Sequence, residues 1–316
     1  VDEPRILRFT PLAQQRPWGG RRLATELGRA LPEDGARYGE SWDLVDREEQ
    51  QSVLTESWRG CETLHDLWCR SRLSVFGTAM LTHPATRFPL ICKILDTLEV
   101  LSVQVHPRSE DALDGAEPKE ECWWVLAAGP GSYLLAGTRP GTDRLKLHEA
   151  LQGGEIGQCL QRHQVAAGDF VQVPSGTLHA IGPELLIVEI QQNSDSTYRL
   201  HDWGRLDSKG NPRELHLKQG LLAADPALQP LLRPSAQQTK GPIFDGAHYQ
   251  IANKSGPAIL GVAGEMLLII VLSDRVQLNS LELRRSELAL VPACLPEDQR
   301  AAISGQWLEI RLPRAG

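Results

Sequence analysis

Between Leu101 and His106 the chain alternates strictly. Leu101, Val103 and Val105 are apolar, and Ser102, Gln104 and His106 are polar. A period of two marks a half-buried β-strand, and it puts Gln104 and His106 on the same face. If that face lines the interior of a barrel, an amide and an imidazole are placed to hold a metal together. Alone, a histidine on a strand more often serves the core than a ligand site, so the pair needs partners elsewhere in the sequence.

Other segments supply the strands for such a barrel. Gly39 to Val45, Pro89 to His106, Glu121 to Ala127, Gly168 to Val173 and Glu184 to Gln191 read as strands, with turns at Trp18-Gly19-Gly20, Gly129-Pro130-Gly131 and Pro174-Ser175-Gly176. Leu64, Leu67 and Trp68 fall at helical spacing, which predicts a helix from Glu62 to Trp68. Helices are also expected over Arg144 to Leu160, interrupted at Gly153-Gly154, and over Arg213 to Ala223. Four prolines between Asp225 and Pro242 predict a linker. Beyond it, Ile259 to Val262, Met266 to Leu272, Val276 to Leu283 and Leu288 to Val291 read as short strands. Many short strands at even spacing point to a sandwich or barrel, and two such blocks to a duplicated one.

The partners of Gln104 and His106 are Glu121, which opens the next strand, and His179, which follows the Pro174-Ser175-Gly176 turn. Two imidazoles, a carboxylate and an amide oxygen make a mixed N/O set. It suits zinc, with a position left for water or substrate, and Mn, Fe and Co accept much the same ligands.

The net charge of −7 and the lack of a basic stripe argue against a nucleic-acid partner. An acidic chain that binds a phosphate must gather its positive charge locally, so particular Lys and Arg residues should matter. No apolar run is long enough to span a bilayer, and no signal-peptide core is evident near Val1. Six scattered cysteines without a C-x-x-C pair predict reduced thiols and a cytoplasmic location.

Several segments together resemble type I mannose-6-phosphate isomerases. They are Gly39-Glu40-Ser41-Trp42, Pro89 to Asp96, Leu101 to Pro107, Lys119 to Trp123, Gly168 to Gly182, Gln191 to Arg199 and Arg213 to His216, in order over roughly residues 5 to 225. The resemblance implies a mainly β, cupin-type jelly-roll barrel with inserted helices and a second, smaller β domain. It implies a catalytic domain over 1–230 and a C-terminal domain over 231–316, the latter echoed only by Gly264, Glu265 and Pro292. It also implies a zinc held by Gln104, His106, Glu121 and His179. Gln104 stands where the general cupin pattern prefers a histidine, as it does in this isomerase family. By the same resemblance Lys119, Asp195 and Arg199 are catalytic positions, and Lys93 lies near a sugar-phosphate substrate. The expected assembly is a monomer or homodimer.

Aldose–ketose isomerisation moves a proton between C1 and C2 through an enediol, and needs a proton carrier, charge stabilisation and a phosphate clamp. Lys119, Asp195 and Glu40 are the candidate carriers. A nearby cation and partial burial are expected to lower the pKa of Lys119 toward neutrality. Arg199 is a candidate for the phosphate, against a plain ion pair with Asp195 or Asp202. Lys93 and Glu40 complete the candidate substrate contacts. His148, His163, His201, His216, Trp123, Trp124 and Cys122 are read as packing or surface residues. Two other cupin chemistries compete: an iron or manganese oxygenase, disfavoured by Gln104, and a non-catalytic sugar-binding or regulatory protein, disfavoured by the presence of both Lys119 and Arg199.

Overall fold

A computed structural model describes residues 3–110, 115–206, 210–238, 240–278, 281–302 and 304–313. The chain forms two compact units, one of residues 1–12, 42–92 and 238–316, the other of residues 13–41 and 93–237. The expected division at 230/231 differs from this grouping, in which 1–12 and 42–92 fall with 238–316 and the last passage is at Gln237–Gln238.

The unit of residues 13–41 and 93–237 carries two antiparallel sheets. The larger orders its strands Leu12–Gly20, Tyr38–Leu44, Leu90–Thr97, Leu185–Gln192, Glu121–Ala128, Phe170–Val173 and Leu231–Arg233. The smaller orders Tyr198–His201, Val103–Val105, His179–Ile181, Tyr133–Thr138 and Leu160–Gln164. Alternation along these strands sorts the side chains. Val103 and Val105 face outward onto Leu147 and Leu151 of the Arg144–Gln152 helix and Ala223 of the Leu217–Ala223 helix. Trp123, Val125, Val171, Val173, Ile181, Leu185 and Ile187 point inward and fill one end of the barrel. Each large apolar side chain buried there contributes about 1.5–3 kcal/mol. The polar residues on the same inner faces gather toward the other end.

Three expectations change in this unit. Trp18-Gly19-Gly20 is not a turn but the end of the first strand. A Cβ on Gly19 would lie 2.3 Å from the Gly39 nitrogen, so glycine here permits close backbone approach. The stretch from Asp225 to Pro242 is not featureless, because Leu231–Arg233 adds a strand to Phe170–Gln172. The third helix is shorter than expected, starting at Leu217 rather than Arg213.

The other unit holds a five-stranded sheet (Gly241–Asp245, Gln250–Ser255, Gln306–Arg311, Leu267–Val271, Leu288–Val291) and a small four-stranded one. Leu267, Ile269, Val271, Val276, Leu283 and Trp307 share its core. The predicted strand from Val276 to Leu283 is a pair, Arg275–Leu278 and Leu281–Arg284; its middle, Asn279 and Ser280, lies outside the described residues. The Leu64–Arg70 helix starts at Thr63, whose side chain accepts from Asp66 N–H while Asp66 accepts from Thr63 N–H. Among the described residues no helix is long and apolar enough to cross a membrane.

The turn before His179 is decided by one glycine. Thr177 N–H donates to the Pro174 carbonyl, Gly176 N–H donates to the His106 carbonyl, and Gly176 sits at φ +86°. A Cβ there would also press on the Ala223 carbonyl and Leu228, at 3.2 and 3.1 Å. Gly176→Ala is therefore expected to cost about 1–2 kcal/mol, seen as a lower urea midpoint at unchanged slope. A midpoint equal to that of the parent would disprove this account of the turn.

Candidate active site

Sheet register brings the site together. In the smaller sheet Arg199, Gln104 and His179 are direct partners across three adjacent strands, so their side chains share a face. His106, two residues beyond Gln104, points the same way. Glu121 comes from the facing sheet, where it pairs with Val173 and Gln191 at the start of its strand. The metal set expected from sequence is thus assembled from three strands and the loop after one of them, with Arg199 on a fourth.

Its protonation pattern follows from the backbone. His106 Nδ1 lies 2.9 Å from the Ser196 carbonyl, and His179 Nδ1 lies 2.9 Å from the Thr177 carbonyl. A carbonyl only accepts, so each Nδ1 carries a proton, and in the neutral ring that a metal ligand must be each Nε2 presents a lone pair. Those lone pairs face a carboxylate: His106 Nε2 is 3.3 Å from Glu121 Oε2, and His179 Nε2 is 3.2 Å from Oε1. Both Glu121 oxygens and His106 Nε2 are buried without a hydrogen bond. Lys119 Nζ is 2.9 Å from Oε2 as an ion-pair partner, but out of line for a hydrogen bond. The donor atoms of His106, Glu121 and His179 all lie within 4.8 Å of one another. Lone pairs converging on an oxyanion in a dry site repel unless a cation lies between them, so the arrangement fits a divalent metal ion. The Gln104 amide lies 3.2 Å from His179 Nε2, and a half-turn about its last bond presents the oxygen there instead.

Burial, reinforced by the Lys119 charge, pushes His106 down to about 3, against the pull of Glu121. The ring is therefore neutral, as a ligand must be. Burial alone would raise Glu121, but Lys119 and His106 hold it well below the usual carboxylate range. For Lys119, whose expected lowering rested on a nearby cation, the surrounding carboxylates act the other way. Burial lowers it, yet the carboxylates of Glu121, Glu189 and Asp195 outweigh burial and hold the ammonium above its ordinary value.

A cavity of about 450 Å³ opens beside this cluster, lined by Glu40, Lys93, Gln104, Lys119, Asp195 and Arg199 among others. Every candidate catalytic and substrate-contact residue named from sequence lies on it. Five lining side chains are basic (Arg16, Lys93, Lys119, Arg199, Arg213) and three acidic (Glu40, Glu189, Asp195), so this wall is positive in a chain of net charge −7. Glu40 takes a two-point pair from Arg16, at 3.1 and 2.9 Å. Lys93 is 3.4 Å from Glu189 Oε1, while Trp123 donates to Glu189 Oε2 at 3.2 Å. Burial and the Glu121 charge raise Glu189, against Lys93 and Lys119. Asp195 is exposed.

Arg199 is not in the ion pair that was the plain alternative. Asp202 is taken by Arg205 and Arg213, and among the described residues the Arg199 side chain donates only to the Glu214 carbonyl, at 3.0 Å. Its Nε is buried without a partner. His216 shapes this corner, accepting the Arg199 N–H on Nδ1 at 3.1 Å. Glu189, Arg16 and Arg213 were not recognised from sequence. A carboxylate in the otherwise apolar run from Leu185 to Ile190 was the available signal for Glu189.

An antiparallel double-sheet barrel with a buried imidazole–carboxylate centre at one end defines a cupin-type metal-binding enzyme fold. Residues 6–125 match the family model for the catalytic domain of type I phosphomannose isomerase, and the chain belongs to this family. It is 40% identical over 218 residues to the mannose-6-phosphate isomerase ManA of Bacillus subtilis, covering 68% of this chain and 66% of ManA. It is 34% identical over 237 residues to the putative mannose-6-phosphate isomerase YvyI of the same organism, covering 74% of this chain and 72% of YvyI. The crystal structure of the mannose 6-phosphate isomerase from Bacillus subtilis superposes with a TM-score of 0.83 at 28% identity, over 96% of this chain and 98% of that one. By sequence, the matched part thus spans about two thirds of ManA.

Asp202 gives a test of the cationic corner. Burial alone would raise its carboxyl, but hydrogen bonds from Arg213 and Arg205 lower it. A depressed carboxylate stabilises the fold above its unfolded pKa of about 3.9, and that stability is lost as pH falls through the folded value. Asp202→Asn should therefore be less stable than the parent at pH 7, and the gap in thermal midpoint should close as pH falls below the ordinary range of an aspartate. A gap that persists unchanged into acid would show that the pairing contributes nothing.

Proposed function

We propose that the chain interconverts mannose 6-phosphate and fructose 6-phosphate through an enediol, with a zinc ion held by Gln104, His106, Glu121 and His179. The observation that carries this reading is the pair of Nε2 lone pairs converging on Glu121 at the mouth of a positively lined cavity. A zinc held there would supply Lewis-acid stabilisation of the negative charge that develops on the sugar oxygens.

The chain's own residues divide the remaining work. Arg199 has guanidinium donors left over after its bond to Glu214 O, which suits it to a phosphate or to developing oxyanion charge. Lys93 and Glu40 contact substrate from the opposite wall, their charges balanced by Glu189 and Arg16. Lys119, held as an ammonium, donates a hydrogen bond to a sugar oxygen. Asp195 is exposed and lines the cavity, and it accepts the carbon-bound proton. The charge on the cavity wall supports an anionic sugar over a neutral one. Within this reading, residues 1–230 contain every catalytic group. The protein works in the cytoplasm as a monomer or homodimer.

The test compares conversion of mannose 6-phosphate by protein as isolated, protein stripped with a chelator, and stripped protein given zinc. Activity should vanish on stripping and return with one equivalent of zinc. Lys119→Met should lower kcat by about 10²–10⁴-fold while zinc content stays at one per chain. A zinc-loaded protein that binds the sugar phosphate without turning it over would instead support the binding-protein reading.

A further inference from the structure

A second chemical grouping lies in the unit of residues 1–12, 42–92 and 238–316. His65 and Cys69 sit one turn apart on the Leu64–Arg70 helix, and His65 Nε2 is 3.4 Å from Cys69 Sγ. The other ring nitrogen, Nδ1, is 3.1 Å from the Asp46 carboxylate. Asp46 is fully buried and fixed by Arg87 at 3.1 Å and by Phe88 N–H at 2.8 Å. The carboxylate accepts, so Nδ1 carries the proton and Nε2 is left to accept from the thiol. The order carboxylate, imidazole, thiol is the arrangement that activates a cysteine nucleophile.

Exposure separates Cys69 from the rest of the thiols. Cys61, Cys92 and Cys122 are buried, Cys159 and Cys294 are half-buried, and Cys69 is exposed. The groups that face the His65 ring are Asp46 and Cys69, with Arg87 behind the Asp46 carboxylate. Arg70 follows Cys69 in the chain and is paired with Asp66 at 2.6 Å. A thiol that was merely surface filler would not need an imidazole whose tautomer is set by a buried acid.

We infer that Cys69 is a nucleophilic thiol, activated by His65 and Asp46, that reacts with low-molecular-weight disulfides of the glutathione type. The thiol proton passes to His65 Nε2 as the Cys69 sulfur attacks one sulfur of the disulfide. A new S–S bond forms to Cys69, the old one breaks, and His65 returns the proton to the departing thiolate. The products are a mixed disulfide and one free thiol, with no further oxidant consumed. Asp46 acts through His65 and is a positioning residue.

The experiment exposes the reduced full-length protein to oxidised glutathione and follows adduct formation by intact mass and peptide mapping. The expected result is one glutathionyl adduct, on Cys69, absent in Cys69→Ser. Its rate should stay nearly level from pH 8.5 down to 6.5, where an unassisted thiol loses about fiftyfold of its thiolate. In His65→Asn, which keeps a donor for Asp46, the rate at pH 7 should fall about tenfold or more and regain the ordinary thiol profile. If that variant does not fold, the pH profile of the parent decides alone. Equal rates in parent and His65→Asn, an ordinary thiol profile in the parent, or faster reaction at Cys159 or Cys294 would each overturn the inference.

Discussion

A carboxylate with no exposure at all, Glu121, sets the terms for everything around it. Burying such a charge without compensation costs several kcal/mol. Lys119 supplies part of the compensation, and two imidazoles are turned so that their Nε2 atoms meet the carboxylate oxygens. The Ser196 and Thr177 carbonyls impose that turn by taking the Nδ1 protons. These backbone groups act one bond removed from the centre, yet they decide whether it attracts a proton or a metal cation.

The charges beyond the centre are arranged on the same logic. Glu189 is raised by burial and by Glu121, and the same ammonium groups that temper it, Lys93 and Lys119, face the cavity. Arg16 neutralises Glu40, and Asp202 absorbs Arg205 and Arg213, which leaves Arg199 without a carboxylate partner among the described residues. An acidic protein thereby presents a positive wall to its cavity. Long-range repulsion of an anionic ligand is offset by local attraction where the ligand is to be held.

Much of this was legible in the sequence. The strict alternation from Leu101 to His106 located the inward face of one strand, and the turn before His179 located the second imidazole. Glycines misled at Trp18-Gly19-Gly20, because a local reading treats Gly-Gly as a turn signal while the structure uses Gly19 to let two backbones approach. Arg213 was read as helical, but it precedes the helix and turns to Asp202. The carboxylates around Lys119 were missed for a similar reason. Two of the three carboxylates that outweigh its burial, Glu189 and Asp195, come from distant positions.

By itself the sequence determined the strand periodicity, the chemical types of the metal-set residues and the faces from which they project. Those properties depend on neighbours within a few residues, where backbone geometry alone sets direction. Only the tertiary structure decided which residues share the cavity, which cations are already paired and which nitrogen of each imidazole is free. Those outcomes depend on strand register and on partners far apart in the chain, where a slip of one residue would send every side chain to the opposite face.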